Sequence, residues 1–449
     1  DGVGLLDREA IETVSADAWP EIRDADELHD ALLTLISLPP EPQWQRWLDE
    51  LERDRRAAVH TRGGKPFWVA AERVELANEA RETLRGWLDS TGPVTAPALA
   101  ERLAFPPEDV EIALAALEAE GQILRGQFTP GVTELEWCNR RILARIHRAT
   151  LRRLRREIEP VSTADLHRFF CRWQHVAPGS QLHGEDGLLQ IVRQLQGYEM
   201  PAAAWESEVL RRRVANYQPA LLDRLCLSGE VRWGRLSPRA SGLSSRAVRP
   251  TRVAPVSFFL RDDAEWLLAA GGGATPLTPA AQDVLGALES RGACFFADLT
   301  RASGRLPSEV EDALWELTAA GLVTADGFEN LRSLLDPKRR RGEGRGRNAR
   351  PRHAAGRWAL LRNAPAETAG VDVERFAVQL LARWGVLFRD LLARETLAPP
   401  WRDLLLVLRR MEARGEIRGG RFADGFVGEQ FAMPEALEIT MRPAPAPMK

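Results

Sequence analysis

The sequence predicts a mostly α-helical fold with small β elements, organised as tandem copies of one module. The main observation is an internal repeat, because residues 84–128 recur as residues 284–328 at an offset of 200 positions. In both copies the local signals follow the order helix, turn, helix, turn, longer helix, glycine, short strand. This order is typical of a winged helix-turn-helix module, and the strand after the glycine argues against a simple helical hairpin.

The longest helix of each copy carries the clearest signals. Pro107 and Pro307 suit the first position of a helix, where a missing N–H is no loss. The run VEIALAAL at 110–117 returns as VEDALWEL at 310–317, with apolar residues on one helical face. A glycine follows in both copies, which suits the left-handed conformation common after a helix end.

Composition indicates a multidomain protein rather than a membrane or disulfide-stabilised one. The 449 residues are 44% apolar and carry a net charge of −3, and no long uncharged apolar run suggests a membrane span. The four cysteines lie far apart and are expected to be buried thiols of a reducing compartment, which suggests a cytoplasmic protein. The chain begins at Asp1 without a signal-peptide pattern, which suggests a fragment or processed piece.

Charge and turn signals divide the chain into eight segments. They are an N-terminal helical and β segment (1–75), an acidic winged helix (76–135), an arginine-rich helix with a divergent winged helix (136–236), a loop and β segment (237–275), a second acidic winged helix (276–335), a basic flexible linker (336–356), a basic C-terminal winged helix (357–436) and a disordered tail (437–449). In the first segment, Gly63-Gly64-Lys65 lacks the other residues of a phosphate loop, so it predicts a hairpin turn.

The longest helices of the two repeats, 107–120 and 307–320, are acidic and contain no lysine or arginine. Their carboxylates are Glu108, Asp109, Glu111, Glu118 and Glu120 in the first copy, and Glu309, Glu311, Asp312 and Glu316 in the second. In a DNA reader this helix enters the major groove and meets phosphates, which would repel these side chains. The two repeats are therefore expected to pack against other modules or subunits rather than contact DNA.

Residues 140–158 reverse this charge. Leu143, Ile146, Thr150 and Leu154 form an apolar stripe at helical spacing. The opposite stripe consists of arginines, namely Arg141, Arg145, Arg148, Arg152 and Arg155. Such a stripe is either a solvated helix face or a phosphate-contacting surface. Because no acids are interleaved with the arginines, the two interpretations have about equal support.

His167, Cys171 and His175 follow at intervals of four residues on the next predicted helix. This spacing could chelate zinc, but a tetrahedral site needs a fourth ligand and convergent geometry. We therefore predict packing positions and no metal site.

Two further copies of the module are more divergent. One has predicted helices at 188–196, 202–214 and 219–227, and the other spans 373–431. The last copy has a basic third helix and wing, where Arg409, Arg410, Arg414 and Arg418 are candidate phosphate contacts. The linker contributes Arg339, Arg340 and Arg341, which can bind nucleic acid by charge alone.

Several long runs resemble signatures of the bacterial large helicase-related (Lhr) family. They are EWCNRRILARIHR at 136–148, QLQGYEMPAAAWE at 194–206, LCLSG at 225–229, GLVTADGF at 321–328 and GEQFAMPE at 428–435. The similar region of that family lies C-terminal to the helicase core, consists of tandem winged helices and mediates oligomerisation. The resemblance implies that ATP and Mg²⁺ bind to motor domains outside this chain, since its sequence contains neither a P-loop nor a DExH box.

The resemblance also implies a possible activity, because this region of the family is similar to winged-helix DNA glycosylases with a Gln-x-Gln motif. Gln194-Leu195-Gln196 has that form, and the nearby carboxylates of Glu199 and Glu206 could polarise a water held by the glutamines. The alternative is that these glutamines pack or cap a helix, which the weakness of the motif favours.

The sequence is therefore interpreted as the accessory DNA-binding and oligomerisation region of an ATP-dependent DNA-repair helicase, without the motor domains. Its expected partners are DNA, the helicase core of the same polypeptide and further copies of the chain, with no cofactor of its own and no membrane contact. A DNA glycosylase acting on damaged bases and a pure scaffold are the alternatives.

Overall fold

The computed structural model describes residues 6–237, 255–269, 276–335, 356–362 and 371–440. Contacts divide the chain into two compact units, Asp1–Ile158 and Glu159–Lys449. The described residues are mostly helical, which confirms the predicted fold class. Among these residues, no helix is both long and apolar enough to cross a membrane.

The first unit begins with a helical layer and a hairpin. Its elements are the helices Arg8–Ala18, Ala25–Leu35 and Gln45–Arg53, the 3₁₀ turns Pro42–Trp44 and Ala71–Leu76, and the strands Ala57–Arg62 and Lys65–Ala70. Gly63 and Gly64 adopt φ values of 59° and 77° between the paired Arg62 and Lys65. Two consecutive positive φ angles define a tight hairpin turn, so the predicted turn is confirmed.

A complete winged helix, the first module, completes this unit's core. It contains the helices Ala80–Ser90, Ala96–Leu103 and Pro107–Ala119, and the strands Val94–Thr95, Ile123–Gly126 and Glu136–Asn139. The last strand lies in the middle of the sheet and pairs with both others. The predicted boundary at 135 was therefore wrong, because it removes the strand that holds the sheet together.

The helix Arg140–Arg156, called the arginine helix below, follows that strand directly and packs on Arg8–Ala18. Its buried residues are Ile142, Ile146 and Thr150, one turn apart. Leu143 and Leu154 are only partly buried, so the predicted apolar stripe is rotated toward Ile142.

The second unit contains three more modules, of which the second module is the most elaborate. Helix Thr163–Trp173 precedes this module. The helical elements of the module are Gly184–Leu195, Ala202–Ala204, the π turn Trp205–Leu210, Arg211–Arg213 and Pro219–Leu227. Its three-stranded sheet consists of Met200–Pro201, Val231–Gly234 and Pro255–Leu260, and a separate parallel pair consists of Leu182–His183 and Val214–Ala215. The 3₁₀ turn Arg261–Asp263 and helix Ala264–Ala269 follow. Because Pro255–Leu260 is the central strand of this sheet, the segment predicted at 237–275 is not separate.

The third module repeats the first. It contains the helices Pro279–Arg291, Phe296–Ser303, Pro307–Ala319 and Phe328–Leu335, and the strands Cys294–Phe295, Val323–Ala325 and Arg357–Leu360. Arg357–Leu360 is again the central strand, so residue 357 belongs here and not to the C-terminal segment. Most of the linker predicted at 336–356, including Arg339, Arg340 and Arg341, lies outside the described residues.

The fourth module contains the helices Val373–Trp384 and Trp401–Ala413, the 3₁₀ turn Arg389–Arg394, and the strands Val386–Leu387, Arg418–Gly420 and Gln430–Ala432. Helix Pro434–Thr440 follows, which removes 437–440 from the predicted tail; the remaining tail lies outside the described residues. In every module a glycine follows the helix that precedes the wing strand, with φ of 71°, 82°, 72° and 76° at Gly121, Gly229, Gly321 and Gly415. Glycine is favoured at this left-handed position, so each of these helices ends with the same signal.

Candidate functional site

The Gln-x-Gln motif lines a pocket of about 690 Å³ in the second unit. The pocket lies between the end of helix Gly184–Leu195 and helix Val373–Trp384 of the fourth module. Its walls combine amide, carboxylate, guanidinium and aromatic groups, including Trp173, Arg193, Gln194, Gln196, Asp263, Trp266 and Gln379. We call it the glutamine pocket.

Gln196 is the buried centre of this pocket. Its amide nitrogen donates to Oδ2 of Asp263 at 2.9 Å and to Oε1 of Gln379 at 3.0 Å, and its oxygen accepts the Leu260 N–H at 3.2 Å. The second carboxylate oxygen of Asp263 accepts the indole N–H of Trp266 at 2.8 Å. These bonds fix the orientation of both the amide and the carboxylate.

Gln194 is oriented differently. Its amide nitrogen donates to the carbonyl of Trp173 at 2.9 Å, while its side-chain oxygen is buried and has no hydrogen-bond donor among the described residues. Buried acceptors usually have a partner, so this oxygen is available to a donor that enters the pocket. The pocket thus presents a carboxylate, an unused acceptor and aromatic walls, which suits a hydrogen-bonding planar ligand or an oriented water.

Glu206, the third predicted catalytic residue, contributes to a different cluster. Its carboxylate accepts from the Arg332 guanidinium at 2.7 and 3.0 Å and from the Tyr217 hydroxyl at 2.7 Å. Burial, and next the Glu206 charge, raise the pKa of Tyr217. Arg332 also pairs with Asp223. Glu206 therefore joins the second and third modules, and the prediction that it acts with the glutamines was wrong.

Glu199 is also structural. It is buried, and its carboxylate accepts the backbone N–H groups of Leu236 and Ser237 at 2.6 and 2.9 Å. The carboxylate beside the Gln-x-Gln motif is that of Asp263, and not that of Glu206 as the sequence predicted. It lies 67 positions from Gln196, and nothing in the local sequence marks it.

The arginine helix presents its predicted stripe only in part. Arg141, Arg148 and Arg152 are exposed, and within the described residues no carboxylate pairs with them. Arg145 lies 3.9 Å from Asp17, and Arg155 is half-buried. The exposed basic surface of this helix is therefore centred on Arg141, Arg148 and Arg152, which we call the arginine surface.

The basic helix predicted in the fourth module is largely neutralised by neighbouring acids. Arg409 pairs with Glu429, and Arg414 pairs with both Glu374 and Glu416. Arg410 is exposed and Arg418 is half-buried. Since the paired acids are distant in sequence or in the wing, the local count of arginines overestimated the positive charge of this face.

Several acids of the two predicted acidic helices have structural partners. Glu120 pairs with Arg81 and Arg85, and Glu118 pairs with Arg125. In the third module, acids at other positions of the corresponding helix have partners. Glu316 caps the helix Pro279–Arg291 through the N–H and hydroxyl of Thr278, at 2.9 and 2.6 Å, while Glu309 accepts the Leu306 N–H.

The residues considered for zinc do not share one helix. Helix Thr163–Trp173 ends before His175, which has a φ of 56° and bonds through Nδ1 to the Ser180 carbonyl at 2.9 Å. No group of three potential metal ligands occurs among the described residues. Cys171 is exposed, contrary to the prediction of four buried thiols, whereas Cys138, Cys226 and Cys294 are buried. Burial raises the pKa of the Cys138 and Cys226 thiols to about 12.

Comparison with known proteins shows which proteins this chain is similar to. A family model described as a large helicase-related protein winged-helix domain, the third, matches residues 161–254, and a model of the fourth such domain matches residues 366–448. A Mycolicibacterium smegmatis protein named Lhr helicase/probable uracil glycosylase is 31% identical over 97% of this chain and 32% of its own length. An Escherichia coli protein named Lhr helicase/uracil glycosylase is 26% identical over 78% of this chain and 24% of its own length.

The repeated sheets and helices define a tandem winged-helix protein. The chain belongs to the large helicase-related family and corresponds to its winged-helix region, which confirms the resemblance predicted from the sequence. It spans about a third or less of the length of these two curated relatives.

Proposed function

We propose that this chain is the DNA-binding accessory region of a helicase and contacts phosphates through the arginine surface. The observation that carries the proposal is the exposure of Arg141, Arg148 and Arg152 on one rigid helix without a paired carboxylate among the described residues. Guanidinium groups in fixed positions bind phosphates and release counterions. The names of the two relatives support the helicase context.

The helix carrying these arginines is anchored independently of them. Ile142 and Ile146 are buried against the first helix of the chain, and the Thr150 hydroxyl accepts the Asp7 N–H at 3.1 Å. Loss of the exposed arginines therefore removes charge without removing core packing. This separation makes the surface testable by mutation.

Replacing Arg141, Arg145, Arg148 and Arg152 with alanine is expected to weaken duplex binding. If all four contact phosphates, the plot of log affinity against log salt should flatten by roughly three to four units of slope. The measurement is fluorescence anisotropy of a labelled duplex at several salt concentrations. Arg53→Ala with Arg73→Ala is the control, since both arginines are exposed in the same unit. An unchanged slope in the fourfold variant would contradict the proposal.

The glutamine pocket favours a second candidate function, hydrolysis of an N-glycosidic bond in DNA. Gln196 holds Asp263 in a fixed orientation, and Gln194 offers an unused buried acceptor. A water held there could form a bond to C1′ of the sugar while the bond to the base breaks, with Asp263 accepting the water's proton. A base turned out of the duplex would leave with the bonding electron pair and take up the proton that Asp263 received from the water, and the aromatic walls would accommodate it.

Changing Gln194 and Gln196 to alanine is expected to abolish release of uracil from a uracil-containing duplex, if the unmutated chain releases it. Asp263→Asn should reduce the rate by roughly a hundredfold or more, as loss of a general base does. Gln218→Ala, at an exposed position in the same module, is the control. Free base is quantified by chromatography, and duplex binding is measured in parallel. Release that persists in the double variant would contradict this candidate.

We also propose that the chain assembles into a homo-oligomer in the bacterial cytoplasm, and that ATP and Mg²⁺ act in the helicase core of the same polypeptide. The outward carboxylates Glu108, Asp109 and Glu111 and the exposed Ile112 of the first module support a protein contact rather than a DNA contact at this helix. Mass measurement in solution tests the assembly directly.

A further inference from the structure

A second, smaller pocket of about 240 Å³ lies in the same unit, and nothing in the proposed function uses it. It is bounded by helix Thr163–Trp173, the Gly184–Leu195 helix end and helix Val373–Trp384. Its lining includes Phe170, Cys171, Gln174, Tyr198, Arg213 and Trp384. Leu195 lines this pocket, whereas the adjoining Gln194 and Gln196 line the other one. We call it the Arg213 pocket.

Arg213 carries a largely buried positive charge. Its guanidinium donates to the Gln174 side-chain oxygen at 3.1 Å and to the Val209 carbonyl at 3.3 Å. Its Nε is buried and has no acceptor, and no carboxylate pairs with it within the described residues. Burial, and next the repulsion from Arg212, lower the pKa of Arg213. A buried charge without a counter-charge is costly, so the site is stabilised by an anion that supplies one.

The second arginine of the pocket is compensated, which makes the first one distinctive. Arg383 is only 3% exposed and pairs with the buried carboxylate of Glu395. Its guanidinium carbon lies 5.4 Å from the Tyr198 ring centroid. Arg213 and Arg383 together bring two positive charges to the pocket against one carboxylate, which leaves one positive charge to neutralise.

The remaining walls are aromatic and apolar. Phe170 and Trp384 meet edge to face with ring centroids 5.8 Å apart, and Tyr198 and Met200 complete the lining. Aromatic surfaces beside a guanidinium favour a flat ring attached to an anionic group.

We propose that the Arg213 pocket binds a phosphate attached to a nucleoside, with the phosphate at Arg213 and the ring against Phe170 and Trp384. A free nucleoside monophosphate and the terminal nucleotide of a DNA strand both supply this chemistry. The site is distinct from the arginine surface, which lies on the other compact unit, and its failure leaves the proposed DNA-binding surface untouched.

Cys171 provides a direct reporter at the pocket. It is exposed and lines the pocket, while Cys138, Cys226 and Cys294 are buried, so a thiol reagent should modify Cys171 first in the folded chain. Thymidine 5′-monophosphate at ten times its Kd should slow this modification about tenfold, because about one pocket in eleven is then empty. Thymidine without the phosphate should give no protection at the same concentration.

Arg213→Gln should weaken protection by thymidine 5′-monophosphate roughly ten- to a hundredfold, the usual effect of losing a charged hydrogen bond. Arg211→Gln, at an exposed position on the same helix, should leave protection unchanged. The melting temperature is measured for both, and Arg213→Lys, which keeps the charge, should retain part of the affinity if Arg213→Gln fails to fold. Protection by a 5′-phosphorylated oligonucleotide, but not by its 5′-hydroxyl form, would identify the strand end as a source.

Two results would overturn the proposal. One is unchanged modification of Cys171 at millimolar nucleotide in the unmutated chain. The other is equal protection by thymidine and by its monophosphate, since the phosphate would then contribute nothing.

Discussion

Replacing Arg383 with methionine is expected to lower the free energy of unfolding of the second unit by about 3–5 kcal/mol, the usual effect of removing one partner of a buried ion pair. The side chains of Arg383 and Glu395 are only 4% and 3% exposed. The substitution leaves the Glu395 carboxylate buried, and the Trp384 indole N–H, at 2.7 Å, is then its remaining partner among the described residues. It also removes the donor to the Gln196 carbonyl. Urea denaturation of the full chain measures the change.

The neighbouring Arg394 supplies the control, because it is exposed and Arg394→Ala should change stability by less than about 0.5 kcal/mol. Glu395→Gln combined with Arg383→Met should recover part of the loss, since no buried charge then remains. A loss equal to that of Arg394→Ala would show that the buried pair contributes nothing to the stability of the fourth module.

The modular fold could be predicted because the sequence of each module contains local signals for the start and end of its helices. A proline opens the helix before the wing strand in the first and third modules, and a glycine in the left-handed region follows this helix in all four. These signals depend only on backbone geometry within a few residues. The module boundaries depend instead on a central strand that lies many residues after the strand it pairs with, as Pro255–Leu260 does. Strand pairing at that separation leaves no local pattern, so those boundaries were placed too early.

The candidate site also combines residues that a local motif marks with residues that are distant in sequence. Gln194 and Gln196 were recognisable as a motif, whereas their partners Asp263 and Gln379 come from 67 and 183 positions away from Gln196. Glu206 was close in sequence but pairs with Arg332, which is 126 positions further along. Proximity in sequence therefore selected the wrong carboxylate, because tertiary packing decides which acid reaches the pocket.

The repeat itself yields a prediction in which equivalent substitutions have opposite effects. Gly86 and Gly286 occupy the same position of the first helix in the first and third modules, 200 residues apart. A Cβ at Gly86 would lie 1.9 Å from the Thr34 carbonyl oxygen in the helix Ala25–Leu35, whereas a Cβ at Gly286 would meet nothing within 4 Å. Gly86 therefore permits a close helix contact, and Gly286 faces open space.

Gly86→Ala is expected to destabilise the first unit by about 3 kcal/mol or more, because the backbone of one helix must move away from the other and overpacking of a core is costly. Gly286→Ala should stabilise the second unit by up to about 1 kcal/mol, because alanine favours an exposed helical position over glycine. Calorimetry of the full chain carrying each single substitution provides the comparison. If both substitutions shifted stability in the same direction, the helix contact at Gly86 would not be as close as the structure places it, and the two repeats would pack alike.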